Sequence, residues 1–134
     1  MLGERIGEET GKVTGRRVLP SDGQGPKVET SFQSSGTLLG KATTTFGTYW
    51  AVMRADGTLY GEGQGVTMTT DGGAASWIGS GLGRLTAEGG ASFRGAIYFQ
   101  TATPGLARLN SIAGVYEYDQ DPNGNIRILT WEWK

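Results

Sequence analysis

The stretch Thr58–Leu85, TLYGEGQGVTMTTDGGAASWIGSGLGRL, reads as one long antiparallel hairpin, and the other strands are placed by reference to it. Gly61, Gly63 and Gly65 recur at period two, as do Gly79, Gly81 and Gly83, so each triplet falls on one face of a strand. A three-residue turn at Asp71, Gly72 and Gly73 sets Thr70 opposite Ala74 and therefore Gly65, Gly63 and Gly61 opposite Gly79, Gly81 and Gly83. Opposed residues share a face, which leaves a patch of bare backbone flanked by Leu59 with Leu85 and by Thr67 with Trp77. Interior glycine weakens a strand by about 0.5 to 1 kcal/mol relative to alanine, so this density of it needs a cause. The candidates are sharp curvature in a closing sheet, and close approach of a ligand, a partner or a large side chain.

Outward from this hairpin the chain is a succession of strand-like runs. Lys12–Leu19 is the first clear strand, preceded by a lead-in at Met1–Glu9 that reads as frayed or edge-hugging. Lys27–Ser34 alternates Val28, Thr30 and Phe32 with Glu29, Ser31 and Gln33, and folding back sets Val18 opposite Val28 and Arg17 opposite Glu29. ATTTFGTYWAVM is rich in β-branched and aromatic residues. The turn after it allows two registers, one setting Trp50 and the other Tyr49 opposite Gly63, and in both an aromatic ring covers the glycine patch. A three-residue loop at Glu88-Gly89-Gly90 would bring Gly95 beside Gly83. LARLNSI carries Leu106, Leu109 and Ile112 at helical spacing, suited to an apolar plug over one end. The last hairpin turns at Pro122-Asn123-Gly124 and pairs Glu117 with Leu129, Val115 with Trp131, and Asp119 with Arg127.

Eight strands joined mostly by short turns, with no βαβ unit, make an all-β chain. An eight-stranded antiparallel up-and-down barrel with one short helical turn hides every edge, and residues 1–134 are expected to form that single domain. A barrel of this size encloses a lumen that side chains fill or that holds one small ligand.

Composition narrows the chemistry. The chain has no cysteine and no histidine, which removes thiolate metal sites, disulfides, cysteine nucleophiles and the usual general base. No cofactor and no metal are expected. With 12 basic and 13 acidic residues and no basic stripe, a nucleic-acid partner is not expected. The N-terminus, MLGERIGEETGK, lacks the apolar run of a signal peptide, and no stretch approaches the roughly 20 apolar residues of a membrane-spanning helix, so no membrane partner and a cytoplasmic location are expected. GEETGKV at Gly7 and GTLLGKA at Gly36 fall short of a phosphate loop, and GSGLGRL at Gly79 sits within a strand rather than before a helix.

Which face lines the lumen decides the candidate site. Burial favours the glycine face, with Leu59, Leu85, Phe93, Ile97, Phe99 and Trp77 and either Trp50 or Tyr49. The rival face carries Glu62, Gln64, Arg84, Arg94 and Tyr98, which turned inward would form a charge cluster able to polarise a carbonyl or bind a carboxylate. The ligand-binding candidates are accordingly Tyr49, Trp50, Glu62, Gln64, Arg84, Arg94, Tyr98 and Glu117. Catalysis, if any, would use Glu62 or Glu117 as acid or base, Arg84 or Arg94 as electrophilic stabiliser and Tyr98 as donor. Glu117 stands in an apolar hairpin, where it serves either as a functional carboxylate or as one member of a rim salt bridge. If the glycine face is the core, Val66, Met68, Ile78 and Leu82 form an exposed apolar patch that a homo-oligomer would cover.

The segments YGEGQGV, WIGSGLGRL, FRGAIYFQT and GVYEY, together with the strand order, resemble the allene oxide cyclase and dirigent group of small calycin-like barrels over Gly40–Tyr118. GTYW followed by ADGTLYGEG is similar to the avidins, whose remaining strand pattern is not matched. Fatty-acid-binding barrels have a similar length, but their helical lid after the first strand is missing. The cyclase-group resemblance implies a small apolar ligand in the lumen and a tendency to oligomerise, and no catalytic motif of that group is matched. Three functions follow as expectations: a barrel binding a small apolar or amphipathic molecule, a cofactor-free cyclase or isomerase, and a structural or assembly barrel with a filled core.

Overall fold

The computed structural model describes residues 1–134. Its strands are β1 (Leu2–Leu19), β2 (Lys27–Leu38), β3 (Lys41–Met53), β4 (Leu59–Thr69), β5 (Ala74–Leu85), β6 (Ala91–Gln100), β7 (Ala113–Gln120) and β8 (Asn125–Trp133). They follow one another around a closed antiparallel barrel in sequence order. A 3-10 helix, Pro104–Ser111, interrupts the meander between β6 and β7.

Closure depends on β1, which is longer than the sequence suggests. The segment expected to be a loose lead-in is strand, and Gly7–Lys12 are paired on both sides at once, Gly7 with Leu38 of β2 and with Thr130 of β8. An 18-residue strand can reach across two neighbours. The isolated fragment Met1–Glu9 lacks the β-branched run that marks a strand, so its extension is decided by the free edge that β8 presents to it. Bulges near Arg5 and at Thr14 bend β1 around the barrel. β2 likewise runs on to Leu38. It turns tightly through Leu39 and Gly40, both at positive φ, and the Leu39 side chain packs against the core beneath.

The hairpins at either end of the chain have the expected pairings, Arg17 with Glu29 and Glu117 with Leu129. Of the two registers open to the β3–β4 turn, the one with Tyr49 opposite Gly63 is adopted. The two middle hairpins differ from expectation by two residues. Gly65 faces Trp77 and Gly63 faces Gly79, while Gly95 lies beside Gly81 rather than Gly83.

Both differences have the same cause, legible in TTDGG and TAEGG. The first threonine of each motif accepts a hydrogen bond on its hydroxyl from the last glycine's N–H, Gly73 to Thr69 at 2.8 Å and Gly90 to Thr86 at 3.0 Å. The left-handed positions are therefore Gly72 and Gly89, and each loop begins one residue earlier than expected. A slip of two preserves the alternation of faces, which is why the inner and outer walls stay as expected. Leu85 alone of the expected interior residues lies out at the rim, 57% exposed.

The glycine face is the lumen. Its glycines accommodate large side chains: Trp77 lies against Gly65 and Gly47, Phe93 against Gly83, and Tyr116 against Gly81. The interior has two packed ends. At the turn end Phe32, Phe93, Tyr118 and Ile126 pack together, with Phe32 and Tyr118 at a ring separation of 5.8 Å. At the other end the 3-10 helix acts as the expected plug, with Leu106 and Leu109 fully buried against Ile6, Leu38 and Ala75.

Candidate functional site

Between the two packed ends lies a cavity of about 100 Å³. Its walls are mostly apolar: Phe32, Trp77, Phe93, Ile97, Phe99 and Tyr116 face it, and Gly61, Gly63 and Gly79 contribute bare backbone. The glycines leave this space because their neighbours' rings fill only part of the room that absent side chains vacate.

One wall is polar, and it is built around Glu9. The alternation along β1 turns Gly7, Glu9 and Gly11 inward, in register with Thr130, Ile128 and Ile126 of β8. Thr43 and Thr45 of β3 and Thr67 of β4 are buried on the same inner face, as is Ser34 of β2. Ser34 Oγ donates to Glu9 Oε1 at 2.9 Å, and Thr43 Oγ1 and Thr45 Oγ1 donate to Oε2 at 2.7 and 2.9 Å. Thr45 and Thr67 share a further hydrogen bond of 2.7 Å. Three hydroxyl donors thus converge on one inward carboxylate, and none of its partners is a cation: the eight ion pairs of the chain all involve other acids. Glu9 and Thr45 both line the cavity.

The tyrosines that line the cavity are held as neutral phenols. The Tyr49 hydroxyl donates to Tyr118 at 3.2 Å, and Tyr118 donates to Gln120 Oε1 at 3.0 Å. Burial pushes both hydroxyls above the ordinary tyrosine range and pushes Tyr116 up to about 12.

Of the eight binding candidates, only Tyr49 turns its side chain into the lumen. Glu62, Gln64, Arg94 and Tyr98 stand exposed on the outer wall, and Arg84 lies exposed near the β5–β6 turn. Trp50 also faces outward, its ring beneath the Lys27 ammonium at 4.3 Å and edge-on to Tyr60. Tyr60 in turn donates to Glu62. Glu117 is on the outer wall with Arg94 Nε 3.8 Å away, and the same guanidinium meets Asp119 at 3.1 Å. The register pairing of Asp119 with Arg127 holds, but the Arg127 side chain reaches across to Glu8 at 3.2 Å instead. The inward charge cluster envisaged from the rival face is therefore not formed, because the glycine face is interior and charged side chains keep their hydration outside.

Glu9 was hidden in a segment whose pairing the sequence does not display. Its signal lies elsewhere, in Thr43, Thr45, Thr67 and Thr69, which fall on the inner face at period two with glycines and aromatic residues. A cluster of inward hydroxyls requires a polar partner inside the barrel.

Fold and lumen define a small closed antiparallel β-barrel. No protein-family model matches this sequence, and no curated protein matches it. Solved structures do match in fold. A conserved protein of unknown function from Rhodopseudomonas palustris superposes with a TM-score of 0.82 at 14% identity, over 98% of this chain and 97% of that one. A protein with unknown function from Clostridium acetobutylicum gives 0.83 at 15% identity, over 96% of each chain. A beta-barrel like protein from Acinetobacter baumannii gives 0.80 at 15% identity, over 100% of this chain and 96% of that one. The similarity to these chains is one of β-barrel fold; the finer resemblance to the allene oxide cyclase group is not part of it. No helix of the chain is long and apolar enough to cross a membrane.

Proposed function

We propose that the lumen binds one small amphipathic molecule, with its polar end on the Glu9 and Thr45 wall and its apolar part among Trp77, Ile97 and Phe99. The observation that supports this reading is the cavity itself: about 100 Å³ left open between two well-packed ends, with a single hydroxyl-ringed carboxylate facing otherwise apolar walls. Drug-sized ligands occupy pockets of roughly 300 to 1,000 Å³, so the ligand has few non-hydrogen atoms. A valine at Gly79 would project into this space, since a Cβ there meets nothing closer than Ala96 O at 3.1 Å. Titration of small alcohols and benzene, followed by the NMR signal of the Trp77 indole N–H, tests the reading. Saturable shifts that vanish in Gly79→Val support it, and an unresponsive indole in the native protein overturns it.

The outer wall favours self-association as a second property. Phe46, Val66, Met68, Ile78 and Tyr98 are exposed across β3–β6, with Ile78 62% exposed, and within these four strands the rows that hold them carry no charged side chain. Such a face suits an equally uncharged surface, and a second copy of the chain supplies one through a two-fold axis. Sedimentation is expected to detect a dimer that Ile78→Glu dissociates; a strict monomer at high concentration overturns this.

A further inference from the structure

We infer that the molecule bound in the lumen is a small organic cation, a protonated primary amine with a short branched apolar tail; this rests on the lumen reading above. Glu9 is an inward carboxylate, bordered by apolar walls, whose bonded partners are all neutral hydroxyls. Every Lys and Arg that forms an ion pair does so on the outer wall or at a rim, with another acid. Glu9 is half-buried, and a carboxylate partly withdrawn from water without a counter-charge is costly, a cost that hydroxyl bonds compensate only in part. A ligand ammonium supplies the missing charge.

The remainder of the cavity suits the same ligand. Oε1 accepts one hydrogen bond from the chain while Oε2 accepts two, so Oε1 retains acceptor capacity for an N–H donor. The Thr45 proton is given to Glu9, so Thr67 donates to Thr45, and the Thr67 oxygen keeps its lone pairs free to accept a second N–H. Trp77, Phe99 and Tyr116 offer aromatic surface that favours a cation and packs against a hydrocarbon tail. A volume of about 100 Å³ restricts that tail to a few carbons.

The test compares isobutylamine, held below its own pKa, with isobutanol, which has the same carbon skeleton and no charge. Both are titrated into the full chain while the Trp77 indole resonance is followed. The expected result is an affinity for the amine at least about tenfold above that for the alcohol, the range of a charge-assisted hydrogen bond. Glu9→Gln is expected to abolish this preference and to keep alcohol binding. Equal binding of amine and alcohol in the native protein overturns the ammonium assignment and leaves the lumen reading intact. Binding of neither overturns both. The native comparison stands even where Glu9→Gln fails to fold, and a folded Glu9→Gln that retains the amine preference also overturns the assignment.

Discussion

The indole of Trp77 occupies the room that side chains at two glycines would need: a Cβ at Gly47 would stand 2.9 Å from its Cζ2, and one at Gly65 would stand 2.6 Å from its Cε2. The ring and the glycines form one packing unit across three strands. Gly65→Ala is therefore expected to destabilise the barrel by about 1 to 3 kcal/mol, although alanine is the better strand residue. In a Trp77→Leu background the same substitution should cost much less. Denaturant unfolding of the four proteins measures the coupling, and additive effects would show that the glycine serves the backbone rather than the ring.

The plug makes a separate prediction. Leu106 is wholly buried on the 3-10 helix, so Leu106→Ala removes methyl groups from a site with no solvent access. A loss of about 2 to 5 kcal/mol is expected in urea unfolding, since the rigid barrel rim limits collapse around the void. A loss below 1 kcal/mol, on the order of a surface substitution, would mean that the helix rests on the barrel without sealing it.

Acid sensitivity should centre on the β4–β5 turn. Asp71 accepts from the Thr69 hydroxyl and from Lys41 Nζ, the latter at 2.9 Å, and these donors lower its carboxyl from 3.8 to about 2. A depressed carboxylate contributes stability that is present above its unfolded value and lost as pH falls through the folded one. The Asp71 contribution is thus lost between about pH 4 and pH 2. Asp71→Asn should flatten stability against pH in that interval, and an unchanged acid limb would contradict the assignment.

Glu117 should prove dispensable for the lumen. Its carboxylate is 41% exposed on the outer wall and 3.8 Å from Arg94, so Glu117→Gln removes one member of a solvated ion pair. The expected change in stability is within about 1 kcal/mol. Amine and alcohol titrations of the variant should match those of the native protein, whereas a weakened response would place the outer wall in contact with the site.

The sequence by itself determined the class of fold, the number of strands and which residues share a face. Alternation at period two survives a register slip of two, so Gly61, Gly63, Trp77, Phe93 and Ile97 share one face whichever way the TTDGG and TAEGG turns close, and closure of the barrel turns that face inward. The plug and the outer hairpins were equally local, written in leucine spacing and in single turns. What only the tertiary structure decided is how the barrel closes and what stands inside it. Gly7, Glu9 and Gly11 have no strand signal of their own, and they become strand because β2 and β8 offer hydrogen-bonding edges on either side. That closure carries a glutamate from a charged, solvent-like segment onto the hydroxyls of Ser34, Thr43 and Thr45, between 25 and 36 residues away in the chain. Local patterns set which face a side chain takes, whereas its partners across a closed barrel are set by the curvature and register of every strand between them.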